Sequence, residues 1–424
     1  MKVLWLGHFV PWPPNGGSLI RSFHLVQQAA IGNEVALLCL NQRALLADTG
    51  QIEAAKRALS EMCASVEILP IPSDRKRWAR GRRLLWSSVT GRSYDDLWFA
   101  SPELAARFRG TLAKFHPDVV HFDTVGLAPY APAAAHLPCV LNHHNIESQM
   151  MQRRSALERS RLARSLLRLQ SRRLARLERR TADDFRAHLV VSDLDLNRLH
   201  ALIPAARVEV IPNGVDLDYF RAAPPDRPFV PHSIVFAGGL SWYPNRKAVE
   251  WLLSEILPRL RARYPDTTAT IIGRNPPAAF LDAAARDPAL TVTGFLDDIR
   301  PTIARAAVYA CPIFDGGGTR LKILDTLAQQ VPLVATSMAV EGVGVHSEQH
   351  VLLADDADGF AAAVARLFDD PALGARLAAA GRSLVEQRFG WEGIGARLRD
   401  VYRSVLATGP SPSQPPTAAH LKPF

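Results

Sequence analysis

The stretch that decides the fold reads CPIFDGGGTRLKILDTLA over residues 311–328, and after two glutamines VPLVAT over 331–336. Just before it, AAVYAC at 306–311 is an apolar run of the length of a buried parallel strand. Gly316, Gly317 and Gly318 then let backbone amides come close to a ligand with no Cβ in the way. The segment after them has helical spacing, and its free amides and positive dipole end point back at the glycine turn. The prediction is strand, glycine loop, helix, strand, with a site for phosphate or another anion. Gly318, Lys322, Asp325 and Gln329 share one face of that helix. An ammonium and a carboxylate therefore stand above the turn. The competing reading is a solvated surface pair worth about 0.2–0.5 kcal/mol.

Outward from this block the chain alternates strand and helix. Residues 233–237, 268–272 and 290–293 read as strands that end at Gly238-Gly239, Gly273 and Gly294-Phe295. A helix is expected over 247–263 between the first two. The N-terminal half repeats the pattern. Residues 2–7 are a strand, 8–17 a loop rich in Pro and Gly, 18–30 a helix and 34–40 the next strand. Gly16-Gly17 stands where the first helix begins, but GxGxxG, the dinucleotide fingerprint, is absent. Arg21, one turn further on, is a candidate anion contact. Two more predicted strands end at Asp123 and at Asn142, the latter followed by His143, His144 and Asn145. Open α/β sheets bind ligands at such carboxyl ends, although side chains there also cap turns.

At 424 residues the chain is too long for one core, which predicts two domains. The boundaries expected are a first domain over 1–212, a proline-rich linker over 213–232, a second domain over 233–390, a helix over 391–407 packing back toward the first domain, and a disordered tail over 408–424. Cys39, Cys63, Cys139 and Cys311 are scattered, so neither zinc spacing nor a disulfide framework is implied, and a reducing cytosol fits. Asp193-Leu194-Asp195 could suggest a metal motif, but Ser192 with Asp195 explains it as a helix cap, and no metal is expected.

The net charge of +9 is concentrated in two tracts, 75–86 and 153–180. The second is expected to form a long basic helix with Leu162, Leu166 and Leu169 on one stripe. An anionic bilayer surface suits such pieces; a solvated outer helix with one core stripe is the alternative. Nucleic acid is not expected, because no stacking platform or reading motif accompanies the charge. The expected location is the cytoplasm, at the inner face of the cytoplasmic membrane if these tracts touch lipid.

These residues resemble glycosyltransferase family 4, whose architecture is GT-B: two Rossmann-like doubly wound α/β domains facing a central cleft. The resemblance covers about residues 1–407 and rests on 13–17 (PPNGG) with Arg21, 210–216 (VIPNGVD), Gly294-Phe295 and the 317–336 block. Bacterial exopolysaccharide-associated sugar transferases are most similar, since they carry a GGGTRLK version of that block. The resemblance implies a retaining transferase that moves a sugar from a UDP- or GDP-type donor to a glycan or lipid-linked acceptor, with no cofactor and no metal. It implies His144, Lys322 and Arg320 as catalytic residues. Gly16, Gly17, Asn213, Gly239, Arg246, Gly294, Phe295, Gly316, Gly317, Gly318, Thr319 and Asp325 would bind the donor. Arg21, Asp123 and Asn145 would lie on the acceptor side. Two departures stand out: Gly317 occupies the first position of the family's E-x7-E motif, and Asp325 occupies the second. The other readings are a GT-B nucleotide-sugar epimerase and a non-catalytic nucleotide-sugar-binding protein at the membrane surface.

Overall fold

The computed structural model describes all residues except 43–44, 72–86, 88–92, 222–228 and 408–424. The first basic tract, residues 222–228 of the expected linker and the expected tail therefore lie outside the described residues. The chain divides into two compact units. Met1–Pro212 with Ile394 onward is one, and Asn213–Gly393 is the other.

The first unit holds β1 (Lys2–Gly7), α1 (Gly17–Ala30), β2 (Glu34–Asn41), α2 (Thr49–Ser60), β3 (Ser65–Pro70), α3 (Tyr94–Trp98), α4 (Pro102–Phe115), β4 (Val119–Phe122) and β5 (Cys139–Asn142). It continues with α5 (Glu147–Leu157), α6 (Arg161–Arg180), β6 (Ala187–Val190), α7 (Asp193–Leu202) and β7 (Val208–Val210). The strands form one parallel sheet in the order β3-β2-β1-β4-β5-β6-β7. The order reverses between β1 and β4, so a crevice opens past their carboxyl ends. Leu4, Leu6, Val120, Phe122 and Leu141 are buried on this sheet, because a parallel sheet is covered on both faces. Ser101 starts α4 by accepting from the Leu104 amide, with Pro102 as the first helical residue.

The second unit holds β8 (Val230–Ala237), α8 (Tyr243–Trp251), α9 (Leu257–Arg263), β9 (Thr268–Ile272), α10 (Ala278–Arg286), β10 (Leu290–Gly294), α11 (Arg300–Ala304) and β11 (Ala306–Cys311). Then come α12 (Leu321–Ala328), β12 (Leu333–Ala335), β13 (Leu352–Leu353), α13 (Ala357–Asp369) and α14 (Pro371–Arg388). Its parallel sheet runs β10-β9-β8-β11-β12-β13, and the order reverses between β8 and β11. The expected 247–263 helix begins earlier, at Tyr243, and passes through a π-helical turn at Leu252–Ile256. Pro258 has no amide to donate, and a widened turn ahead of it absorbs the missing bond.

The last helix, α15 (Trp391–Ala407), starts in the second unit and from Ile394 belongs to the first. Within the first unit Tyr402 Oη lies 2.8 Å from His121 Nδ1, and the Arg399 guanidinium donates to the Gln28 carbonyl at 2.8 Å.

The second basic tract differs from its expected form. Instead of one helix it is two, α5 and α6, with Ser160 capping the second by accepting from the Ala163 amide. The leucine stripe that the alternative reading would place in the core is not buried there. Leu162 is 73% exposed and Leu166 39%, while Leu174 and Leu177 are the buried residues of α6.

Candidate functional site

Each unit gathers polar groups at its sheet reversal. In the second unit β11 ends at Cys311, and an irregular loop leads to α12. Gly316 and Gly318 take φ of +119° and +66°, which a side chain would resist. The Gly316 amide donates to Asp315 Oδ1 at 2.7 Å. The amides of Gly317, Gly318 and Thr319 meet no acceptor among the described residues. Arg320, 6% exposed, braces the loop by donating to the carbonyls of Gly316 at 3.2 Å and Gly318 at 3.1 Å. Asn213 braces it as well, donating to the Thr319 hydroxyl at 2.7 Å and carbonyl at 3.1 Å. Arg320 and Asn213 therefore hold the loop's shape.

Lys322, in the first turn of α12, crosses to the neighbouring strand end. Its ammonium donates to Asn245 Oδ1 at 2.8 Å and lies 4.3 Å from the centre of the Phe236 ring. Asn245 in turn donates to the Gly239 carbonyl at 2.9 Å. Gly238 is a packing requirement: a Cβ there would stand 2.4 Å from Lys322 Nζ and 2.8 Å from Asn245 Nδ2. Burial lowers the Lys322 pKa to about 8, against the opposing pull of Cys311 and Asp325. Burial raises the Asp325 carboxyl to about 8, with Lys322 opposing. The pair is thus not a solvated surface contact. Burial pushes both groups toward neutrality, and an incoming anion would favour the charged form of the lysine.

The remaining donor-side candidates of this unit are distributed around the same sheet edge. Gly294 closes β10 with φ of +71°, and Phe295 after it is 56% exposed with the Arg274 guanidinium 4.6 Å from its ring centre. Arg246 lies on α8 beside Asn245, the residue that contacts Lys322. Asn245, Gly238 and Phe236 were not singled out as site residues from sequence. The visible trace was Gly238-Gly239 after an apolar strand.

In the first unit the reversal brings together His8 after β1, Asp123 after β4 and His144 after β5. Asp123 is the hub. Its Oδ1 lies 3.2 Å from His144 Nε2 and accepts from Asn142 Nδ2 at 2.9 Å; its Oδ2 accepts from the Ser22 hydroxyl at 2.8 Å and lies 3.3 Å from His8 Nδ1. Burial alone would raise this carboxyl, but the imidazoles of His144 and His8 outweigh it and hold it well below the usual carboxylate range. One ligand atom from each of His8, Asp123 and His144 lies within 4.8 Å of the others, so these three could hold a metal ion. The same contacts link the three side chains directly without one. Sequence reading missed His8, which follows the first strand directly.

Arg21 does not face outward. It is 1% exposed and donates to the Pro212 carbonyl at 2.9 Å and to Asn142 Oδ1 at 2.8 Å. Burial lowers its pKa to about 10 despite the nearby Asp123. It ties α1 to β5 and to the segment after β7. Gly16 caps α1 and Gly17 begins it, while Asn145 is half-buried in the turn beyond His144. Asp193 and Asp195 behave as a helix start: the Ser192 hydroxyl accepts from the Asp195 amide at 3.1 Å and donates to its carboxylate at 2.9 Å.

Comparison with known proteins agrees with this geometry. The model described as Glycosyltransferase Family 4 matches residues 30–219, and the model described as Glycosyl transferases group 1 matches 231–370. A phosphatidyl-myo-inositol mannosyltransferase of Mycolicibacterium smegmatis is 31% identical over 229 residues, 52% of this chain and 58% of that protein. A glycogen synthase of Mycobacterium tuberculosis is 30% identical over 206 residues, 46% of this chain and 48% of that protein. The matched segments thus span about half the length of these relatives. Among solved structures, sucrose-phosphate synthase of Thermosynechococcus elongatus aligns with a TM-score of 0.70 at 17% identity, covering 96% of this chain and all of that one. HepE of Anabaena, solved with UDP-glucose, aligns with a TM-score of 0.62 at 17% identity, covering 95% of this chain and all of that one. The first half of the chain thus matches the Glycosyltransferase Family 4 model and the second the Glycosyl transferases group 1 model, and with nearly the whole chain following solved two-unit α/β structures, it has the GT-B fold.

Proposed function

We propose that this protein is a retaining, metal-independent glycosyltransferase that moves a sugar from a UDP- or GDP-type donor to a glycan or lipid-linked acceptor in polysaccharide biosynthesis. The observation that carries the reading is Lys322, held by Asn245 over Gly238 and next to a loop whose amides at 317–319 meet no acceptor among the described residues. Breaking the anomeric bond leaves positive charge on the sugar and negative charge on the departing diphosphate. Fixed amides and an ammonium stabilise that anion at no reorganisation cost. Phe295 and Arg274 offer a stacking face for the base, and Asp325 offers its carboxyl to the ribose hydroxyls. In the first unit Asp123 fixes the orientation of His144, which would meet the donor sugar. The acceptor hydroxyl attacks from the face the diphosphate leaves and passes its proton to a diphosphate oxygen, so no protein nucleophile is needed.

The place of work is the cytoplasmic face of the membrane. Among the described residues no helix is long and apolar enough to cross one. Contact is through the exposed flank of α6.

The test is incubation with a panel of nucleotide sugars and a glycan or lipid extract. Acceptor-dependent release of nucleoside diphosphate is expected, and Lys322→Ala should slow it on the order of 10²-fold. Sugar isomerisation without an acceptor would make the protein an epimerase. A donor-induced rise in melting temperature with no turnover would make it a binding protein.

A further inference from the structure

Three strand ends of the first unit deliver His8, Asp123 and His144 to one place, and the reaction proposed above gives His8 no work. All three side chains are little exposed, at 10%, 1% and 9%. Asp123 Oδ1 lies 3.2 Å from His144 Nε2, and Asp123 Oδ2 lies 3.3 Å from His8 Nδ1. The two imidazole rings are 5.1 Å apart and inclined at 63°. These separations suit a second arrangement besides hydrogen bonding. In a tetrahedral shell with bonds of about 2.0–2.1 Å, neighbouring ligand atoms stand about 3.3 Å apart. One ligand atom from each of the three residues already lies within 4.8 Å of the others, so a small ion reaches all three with slight side-chain adjustment.

Two imidazoles and one carboxylate are the donor set of zinc and its neighbours; magnesium and calcium take oxygen ligands. The carboxylate is held from behind, as ligands need to be: the Ser22 hydroxyl donates to Oδ2 at 2.8 Å and Asn142 Nδ2 to Oδ1 at 2.9 Å. Arg21 donates to Asn142 Oδ1 at 2.8 Å, so a cation enters against a positive charge nearby, which keeps its binding reversible. His8 also forms part of the wall of a cavity of about 580 Å³, together with Phe9 and Thr124, from which water can complete the shell.

We propose that His8, Asp123 and His144 form a binding site for a divalent transition-metal ion of the zinc type, and that the bound ion switches the protein off. The ion replaces the protons between Asp123 and the two rings. Each imidazole keeps its one proton on its other nitrogen, Nε2 of His8 and Nδ1 of His144. The inhibition rests on the transferase reading, in which His144 meets the donor sugar: with Nε2 tied to metal, that side chain is withdrawn from the reaction. The ion is an inhibitor and not a cofactor, so the transfer itself still needs none.

Cobalt(II) is the probe, because a protein site of low coordination number makes it absorb strongly in the visible and water does not. The full chain, stripped of metal by a chelator, is titrated with Co²⁺. A saturable visible band at about one equivalent per chain is expected, displaced by Zn²⁺ and not by Mg²⁺. His8→Ala and His144→Ala should each weaken it at least about tenfold, with melting curves confirming that both variants fold. His346→Ala, which removes an exposed histidine of the second unit lying 5.9 Å from His350, should leave the band unchanged. No saturable band, or a band that survives in both His8→Ala and His144→Ala, overturns the site. Turnover reads the consequence. Zinc should slow nucleoside diphosphate release at least about tenfold, a chelator should restore it, and His8→Gln should need at least about tenfold more zinc for the same effect. Zinc that fills the site without slowing turnover overturns the switch. Absence of turnover with every donor, before any zinc is added, is instead a failure of the transferase reading, and the cobalt titration still decides the site.

Discussion

Asp325 and Lys322 give the second unit a distinctive dependence on pH. The Asp325 carboxyl protonates near pH 8 when folded, against an ordinary value of 3.8. Between these values the folded state binds one more proton than the unfolded chain, so stability falls as pH rises from about 4 to about 8 and is level above. The Lys322 ammonium, lowered from 10.5 to about 8, acts over the next interval: there the unfolded chain binds the extra proton, and stability rises with pH. Asp325→Asn should therefore raise the melting temperature more at pH 8 than at pH 5. An equal change at both pH values in circular-dichroism melts would show that the carboxyl is not desolvated. This site was only half legible in the sequence. Lys322 and Asp325 share a helix face and follow a glycine triplet, both of which are local patterns. Asn245 is 77 residues from Lys322, and the two meet only because β8 and β11 are neighbours in the sheet. His8 was hidden for the same reason, since its partner Asp123 comes from β4 and only strand order joins them.

At the scale of elements, the period of apolar residues announced the strands and most helices, and the strand–loop–helix block at 306–328 stands where it was expected. The pattern misled over the second basic tract. Leucines at i, i+4 and i+7 look alike whether they face a core or solvent, and Ser160 among arginines gave little sign that a helix begins there. In the structure Leu162 and Leu166 edge an exposed arc of α6 that also carries Arg161, Arg168, Arg172 and Arg176. Exposed leucine beside arginine is the composition of a helix lying on an anionic bilayer, where each apolar side chain buries itself and each cation near the surface contributes about 1 kcal/mol. The chain should co-sediment with vesicles of phosphatidylglycerol and phosphatidylethanolamine, and less so at high salt. Leu162→Ser with Leu166→Ser should weaken partitioning at least about tenfold, since two buried leucines contribute roughly 1.5–3 kcal/mol each. Unchanged sedimentation of the double variant would reduce α6 to a solvated outer helix.

For the whole molecule, the order of the chain and the composition of its units do not coincide. The first unit's sheet is complete by Val210, yet the unit also contains the chain from Ile394 onward. Ile394, Leu398, Tyr402 and Val405 of α15 are all fully buried. Gly395 allows the close approach, since a Cβ there would stand 2.1 Å from the Gln28 side-chain oxygen on α1. Four such side chains at roughly 1.5–3 kcal/mol each amount to on the order of 10 kcal/mol, comparable with the entire stability of an ordinary domain. A chain ended at Gly393 should therefore fail to fold its first unit, although it retains every strand of that sheet. The milder change is more diagnostic. Tyr402→Phe leaves His121 Nδ1 without its partner in a fully buried position, where Trp5 stacks on the imidazole at 3.6 Å. Leaving a buried polar atom unpaired costs about 1–3 kcal/mol. Denaturant unfolding should register that loss in the first unit's transition, while the second unit's transition and its donor-induced stabilisation stay where they were. A loss shared equally by both transitions would mean that α15 stabilises the chain as one cooperative body, and the division at residue 393 would have no thermodynamic meaning.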